Sequence, residues 1–312
     1  MRKALLLFTY YRLVKIFNLS FFFLLYVYTI PAQLLDNSSC KVFSDEPFFS
    51  QEFIKNNGIK KITGEISTKK NLQVIEQRNL ITNYEFDKQG RLIKQYRSFD
   101  GNSNRKDTTF IHYYYTPKNQ IKTQRTSDSY GFFSDNFEYD DKGNIITKTY
   151  CRDENIGKNK KEFKLGKQHV IVKETYAHES TDSTHSKITF NNYGKKYLVV
   201  TKHYNKDGYL TKEVKKLTIN KKKSIIKYEY DDKGNISKRT VYPNFNKPEN
   251  TATVYQYDEL GNLEYIDEYT NGKKITHKEI IYNKSTLLMK AMIIQDIETN
   301  YIKIIKYSYE YW

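Results

Sequence analysis

The clearest pattern in the sequence is a pair of aromatic residues spaced two apart, followed by a polar segment and a branched aliphatic residue. Its strongest copy contains Tyr228, Tyr230, Asp231, Gly234 and Ile236. Side chains alternate between the faces of a β-strand, so residues two apart share one face. Asp at the start of a turn can accept hydrogen bonds from the backbone beyond it, and Gly tolerates positive φ. The pattern therefore predicts a β-hairpin with its reversal at residues 231–234.

The same phrase recurs along the chain and predicts a series of hairpins. Close copies contain these residues: Tyr84, Phe86, Asp87 and Gly90; Tyr139, Asp140 and Gly143; and Tyr255, Tyr257, Asp258 and Gly261. Weaker copies centre on Asn119, Gly194, Gly208 and Thr286. Most successive copies are 24 to 29 residues apart, which allows two strands and two turns for each unit. A period of this size indicates a repeat architecture, in which each unit buries its apolar face against its neighbours.

The phrase Tyr-x-Tyr-Asp-x-x-Gly-Asn-Leu/Ile resembles the YD repeat of the RHS family. The resemblance covers most of residues 80–290, and three copies match the motif literally, at Tyr139-Asp140, Tyr230-Asp231 and Tyr257-Asp258. In that family such repeats build long β-sheets that wind into shells around toxins, or form the barrel of teneurin-like adhesion proteins. The resemblance implies a fold and transfers no activity. We therefore expect an all-β chain: an elongated, twisted antiparallel sheet of repeated β-hairpins that stays open, with a short N-terminal helix.

The N-terminal residues have the pattern of an export signal. Arg2, Lys3, Arg12 and Lys15 precede an apolar run over residues 16–30, and Pro31-Ala32-Gln33 offers a cleavage site. We expect a signal peptide over residues 1–32 and a location outside the cell or in its envelope, in the periplasm or on the outer surface. The alternative is an uncleaved anchor, which needs about 20 apolar residues. In that case this segment alone would contact a membrane.

Residues 33–79 are predicted to form a short helix and the first strands, ahead of a hairpin array over residues 80–312. Ser44 or Asp45 suits the N-cap of the helix, and Asn57-Gly58 suits its end. We expect this helix to cover the free edge of the first strand, within one elongated domain.

The chain is strongly basic, with 52 Lys and Arg against 36 Asp and Glu. Basic patches can bind nucleic acid or anionic polymers. Here, however, lysines alternate with glutamates and aromatics, as Lys227 and Glu229 do around Tyr228, which is typical of the water-facing side of a sheet. The expected partners are therefore a protein or an envelope polysaccharide, and nucleic acid is not among them.

Two cysteines, Cys40 and Cys151, remain after the predicted cleavage. In an oxidising compartment they form a candidate disulfide that would join the N-terminal segment to the sheet. A lipidated Cys40 is a weaker alternative, because the preceding residues match a lipidation motif poorly. Neither cysteine has a base near it in the sequence, so a catalytic thiol is not expected.

The only grouping of histidines with carboxylates contains His178, Asp182 and His185, which are weak candidates for a metal site. The polar residues around them are typical of a hairpin loop. The repeated aspartates all have a turn role available, and the sequence has neither a phosphate-cradling loop nor Gly-x-Ser-x-Gly. No cofactor and no enzymatic activity are expected.

The function that these patterns favour is that of a secreted or envelope-associated β-repeat protein, non-enzymatic, acting as an interaction scaffold. The first alternative is an immunity or inhibitor-like protein that binds a secreted toxin. The second is an enzyme with a site grafted onto the sheet, since sheets of one architecture host many activities.

Overall fold

A computed structural model describes residues 33–100, 106–158, 160 and 162–312, so the predicted signal peptide over residues 1–32 lies outside the described residues. Within these ranges the chain has one α-helix, α1 (Gln51–Asn56), and 18 strands. The strands are β1 Ile59–Lys69, β2 Glu76–Phe86, β3 Leu92–Asp100, β4 Lys106–Tyr115, β5 Ile121–Asp128, β6 Gly131–Tyr139, β7 Ile145–Asn155, β8 Leu165–Ser180, β9 Thr184–Phe190, β10 Lys196–Tyr204, β11 Leu210–Leu217, β12 Lys223–Tyr230, β13 Ile236–Tyr242, β14 Thr251–Tyr257, β15 Leu263–Thr270, β16 Lys273–Tyr282, β17 Met289–Asp296 and β18 Ile302–Tyr311.

The strands form a single antiparallel sheet that closes on itself. Each strand pairs with the strands before and after it in sequence, and β1 also pairs with β18 along its length, with Ile62 opposite Tyr309 and Ile66 opposite Ile305. The prediction of an elongated, open sheet is therefore wrong. Strongly twisted sheets rarely exceed about 10 strands without curling, and closure removes both exposed edges.

The register decides which side chains point into the barrel. Ile62 lies opposite both Tyr84 of β2 and Tyr309 of β18, so these three side chains share the inner face. The paired aromatics of the repeated phrase lie on this inner face. Phe86 and Tyr257, at opposite ends of the array in sequence, consequently pack into one hydrophobic core.

The N-terminal segment over residues 33–57 fills one end of the barrel. Leu34, Phe48 and Ile54 are almost fully buried. Asn37 Nδ2 donates to the Tyr257 hydroxyl at 2.7 Å, while the Tyr113 hydroxyl donates to the backbone oxygen of Asp45 at 2.6 Å. The segment therefore spans the interior from β14 to β4, and we call it the plug.

The predicted N-terminal helix is shorter than expected and has a different place. It begins after Ser50, whose hydroxyl accepts from the Phe53 amide at 3.3 Å, instead of after Ser44 or Asp45. An isolated bridge between Leu35 and Phe49 keeps the preceding residues extended. The helix covers no sheet edge, because both sides of β1 are paired with other strands.

The tight turns at the plug end share one hydrogen-bond pattern. Between β12 and β13, the Asp231 amide donates to the Asn235 oxygen and the Gly234 amide donates to the Asp231 oxygen. The Asp231 carboxylate also accepts from the Asn235 amide at 2.8 Å and from its side chain at 3.0 Å, which explains the Asn after the glycine. The last turn differs from the predicted pattern, because Leu287 instead of Thr286 has the positive φ, at 57°.

Six tyrosines each join one hairpin of the plug end to the strand before it. In every case the hydroxyl of a tyrosine near the end of one strand donates to a backbone oxygen at the start of the preceding strand, at 2.6 to 2.9 Å. The donors are Tyr115, Tyr139, Tyr230, Tyr257, Tyr282 and Tyr309. Phe86 has no hydroxyl to offer and packs edge-on against Phe49 of the plug instead.

Candidate binding site in the barrel interior

Beyond the plug, the barrel wall borders a half-open cavity of about 390 Å³, which we call the first cavity. Seven consecutive strands in the closed sheet, from β16 through β18 and β1 to β4, contribute to its wall. Phe43 of the plug also lines it. A volume of this size is within the range of pockets that hold small molecules, roughly 300 to 1,000 Å³.

Besides the polar side chains of Thr82, Ser98 and Thr109, apolar side chains line much of the first cavity. They are Ile66, Phe99, Met292, Ile294, Ile305 and the ring of Phe43. The alternation of the strands requires these positions to point inward, since Ile294 lies opposite both Lys278 of β16 and Lys303 of β18. This wall is suited to an aliphatic or aromatic group.

Three cationic side chains interrupt the apolar wall. Arg97 forms an ion pair with Asp45 of the plug, and Lys278 Nζ lies 2.5 Å from Glu268 Oε1. The third, Lys303, has no carboxylate or hydrogen-bond partner among the described residues. Burial and the nearby Arg97 lower the pKa of Lys303, because both disfavour its charged form.

The cavity wall also contains an unused hydroxyl. The buried Tyr307 hydroxyl has no hydrogen-bond partner among the described residues. Burial raises the pKa of Tyr307, so this group stays protonated and able to donate. An unsatisfied buried polar group costs about 1–3 kcal/mol, but this hydroxyl is packed away from the cavity space and offers no contact to a ligand.

A second cavity, of about 410 Å³, lies on the opposite part of the inner wall. The strands β8 to β11 line it with Lys187, Lys202, Lys215 and Glu213, together with the candidate metal ligands His178 and His185. The two histidines do meet here, but they bond to each other, with Nδ1 of His178 and Nε2 of His185 3.1 Å apart. Asp182 lies in the exposed turn between β8 and β9.

Every ring nitrogen of these two histidines has a hydrogen-bond partner. His178 Nε2 donates to the backbone oxygen of Ile145 at 2.8 Å, and His178 Nδ1 pairs with His185 Nε2. His185 Nδ1 in turn pairs with the Ser180 hydroxyl at 2.9 Å. Among the described residues no group of three or more metal-ligating side chains is found.

The two cysteines have separate surroundings, and both are free thiols. Cys40 belongs to the plug and contacts Tyr255, while Cys151 is buried on the outer face of β7 near Asn136. Burial raises the pKa of each thiol. Because the thiolate is the reactive form, neither environment activates a nucleophile.

The residues of the first cavity were not singled out from the sequence. In strands where polar and apolar residues alternate, lysines are normally assigned to the water-facing side. A signal does exist, because Lys303 has the same parity as Ile305, Tyr307 and Tyr309 on β18 and therefore shares their inner face. A cation in register with apolar residues is the feature that would have identified this site.

Among the described residues, no helix is long and apolar enough to cross a membrane.

No protein-family model and no curated protein matches the sequence. Similar solved structures include a porin-like protein from Bacteroides uniformis, with a TM-score of 0.37 at 12% identity over 81% of this chain and 97% of that one. A porin-like protein from Bacteroides vulgatus gives 0.34 at 11% identity over 81% and 98%. A LolA superfamily protein from Nitrosomonas europaea gives 0.15 at 9% identity over 83% and 90%. With TM-scores below 0.5, these likenesses establish neither an activity nor a ligand.

The resemblance to the RHS family is wrong as an assignment. No family model matches the chain, and its strands close into a barrel instead of winding into a repeat shell. The repeated phrase has a local cause. The Asp-x-x-Gly-Asn segment makes a tight turn, and the aromatics before it fill the barrel interior, so the phrase encodes hairpins whatever larger structure they form.

Proposed function

We propose that this chain is an exported, non-enzymatic binding protein of the cell envelope, which holds a small ligand inside its barrel. The observation that carries the proposal is the first cavity, where apolar side chains of β1 to β3, β17 and β18 surround Lys303, which has no partner among the described residues. Concave pockets that combine apolar walls with a few converging polar groups are the usual form of a small-molecule site.

The charged outer face of the barrel favours an aqueous compartment as the place where the protein acts. Charged residues of neighbouring strands pair across it, with N–O distances of 2.8 Å for Lys61 and Glu310, 3.3 Å for Lys94 and Glu85, and 3.5 Å for Lys238 and Glu229. Such pairs suit a surface in contact with water. The basic and apolar N-terminal sequence supports export to that compartment.

Binding is favoured over catalysis by the state of the reactive groups. The thiols of Cys40 and Cys151 have raised pKa values, and the histidines of the second cavity satisfy each other and a backbone oxygen. A nucleophile needs a base aimed at it, and a general base needs a free lone pair.

Native mass spectrometry tests this function. The full chain is expressed in a bacterium with an outer membrane, and the protein is recovered from the envelope fraction. The expected result is a mature N-terminus close to Gln33 and a non-covalent adduct that disappears after unfolding and refolding in ligand-free buffer. Recovery of the chain from the cytoplasm, or an envelope protein without any adduct, would overturn the proposal.

A further inference from the structure

We infer that the first cavity binds an amphipathic anion, with one carboxylate or phosphate head and an unbranched aliphatic tail. The inference rests on the proposed function and names its ligand class. It is carried by the charge balance of the cavity, the chemistry of its wall and the position of the plug over it.

The charge balance of the cavity favours an anionic ligand. Two of the three cations at the cavity are already neutralised, Arg97 by Asp45 and Lys278 by Glu268. Lys303 is left as one uncompensated ammonium, since the described residues place no carboxylate beside it. Lys303 is half-buried, and a partly desolvated charge without a partner is destabilising, so an anionic head group would supply the missing partner.

The apolar lining of the cavity favours a ligand with an apolar tail. Ile66, Met292, Ile294 and Ile305 form a continuous apolar lining on neighbouring strands of the closed sheet. A small inorganic anion would leave this lining against water, and a neutral hydrocarbon would bury Lys303 without a partner. Only a molecule with both parts satisfies both features of the site.

The plug supplies the remaining wall. Phe43 lines the cavity, and the next residues of the plug reach Arg97 through Asp45. One short segment therefore contributes an apolar contact for the tail and holds a cation beside the head. A bound amphiphile would bury itself between the plug and the strands, so binding should stabilise the folded state.

Calorimetric titration of the exported, delipidated protein tests the ligand class with four probes. Laurate and lauryl phosphate carry both parts, lauryl alcohol lacks the charge, and acetate lacks the tail. We expect saturable binding and a raised melting temperature with laurate, lauryl phosphate or both, and the stronger of the two identifies the head group. Acetate and lauryl alcohol should bind at least about tenfold more weakly. Equal binding of laurate and lauryl alcohol would contradict the inference.

Substitution of Lys303 separates a binding role from a structural one. Lys303→Met should weaken binding of the preferred anion at least about tenfold, yet leave the melting temperature of the ligand-free protein unchanged or higher, because it removes a half-buried charge that has no partner. The control is Lys306→Met on the same strand, where the side chain is exposed and lies opposite Glu65. Laurate binding should be unchanged in this control.

Two further results overturn the inference. One is wild-type affinity of Lys303→Met for laurate and lauryl phosphate. The other is unchanged affinity after Ile294→Trp, which fills the cavity with a larger side chain while Lys303 remains. If none of the four probes binds but the native protein still carries an adduct, the assigned ligand class falls and the proposed binding function stands.

Discussion

At the scale of single residues, the glycines of the tight turns have different tasks despite similar backbone angles. Gly90 and Gly208 have φ of 82° and 83°, in the left-handed region that favours glycine. Around Gly208 there is free space, whereas a Cβ on Gly90 would lie 2.1 Å from the Gln51 backbone oxygen and 2.9 Å from the Lys55 nitrogen. Gly90 is therefore needed both for the turn and for the close approach of α1.

This difference predicts unequal costs for the same substitution. Gly208→Ala should destabilise the protein by roughly 1–2 kcal/mol, the cost of left-handed backbone for a residue with a Cβ. Gly90→Ala meets that cost and a clash with backbone that cannot rotate away, so we expect at least about twice the loss. Urea titration of both variants measures the two values. Equal losses would mean that the plug does not rest on the turn between β2 and β3.

Buried histidines should make the protein less stable at mildly acidic pH. Burial lowers the pKa of His112 from 6.5 to about 4, with Lys94 and Arg125 adding repulsion, and burial also lowers the pKa of His185 and His203. As the pH falls below 6.5 the unfolded chain binds protons before the folded chain does. The free energy of unfolding therefore decreases as the pH falls.

We expect the stabilisation from His112 to be complete above about pH 6.5 and to be lost progressively toward about pH 4. Denaturant titrations across this range give the slope. His112→Gln cannot take up the proton, so its stability should fall less steeply between these two values. A slope identical to that of the wild type would show that His112 is not held neutral by burial.

At the scale of elements, the tyrosine hydroxyls link neighbouring hairpins. Tyr282, at the end of β16, donates to the Leu263 oxygen at the start of β15 at 2.9 Å. Burial raises the pKa of this hydroxyl, so it remains a donor at all ordinary pH values. The repeated choice of tyrosine at this position thus has a structural reason besides its apolar ring.

Removal of one such hydroxyl should have a measurable cost. Tyr282→Phe keeps the ring and loses one hydrogen bond, for which we expect about 0.5–1.5 kcal/mol. Tyr193→Phe is the matched control, because Tyr193 is 85% exposed and its change should stay within about 0.5 kcal/mol. Thermal or urea unfolding of both proteins makes the comparison. If the stability of Tyr282→Phe equals that of the wild type, packing alone holds the hairpins together.

Local elements are readable in the sequence, and their assembly is not. The turn between β12 and β13 follows from Asp231, Gly234 and Asn235 acting within five residues of one another. Closure depends on β1 meeting β18, and no local signal distinguishes a strand that meets its neighbour from one that meets a strand far away in sequence. The same reason explains why the helix begins after Ser50 and not at the predicted Ser44 or Asp45. The bridge from Leu35 to Phe49 that keeps the preceding residues extended is a non-local contact.

At the scale of the whole molecule, the plug and the closed sheet depend on each other. An 18-stranded barrel without filling would leave an apolar interior open to water at one end. Leu34, Phe48 and Ile54 bury that surface while Asn37 and Asp45 bond to opposite sides of the wall. The plug leaves the first cavity beside it, so the same arrangement that stabilises the fold creates the proposed binding site.

Cross-linking across the junction of β1 and β18 tests closure most directly. Glu65 and Lys306 lie opposite each other with exposed side chains, so cysteines at these positions should have Cβ atoms about 5 Å apart. In an open sheet of 18 strands the same residues would be about 80 Å apart. The experiment uses a background in which Cys40 and Cys151 are replaced by serine, and cysteines at Glu65 and Glu229 serve as the distant control. A closed barrel predicts rapid intramolecular cross-linking of the first pair by a short bifunctional thiol reagent and none of the second, whereas an equally unreactive first pair would contradict the barrel and the interior site with it.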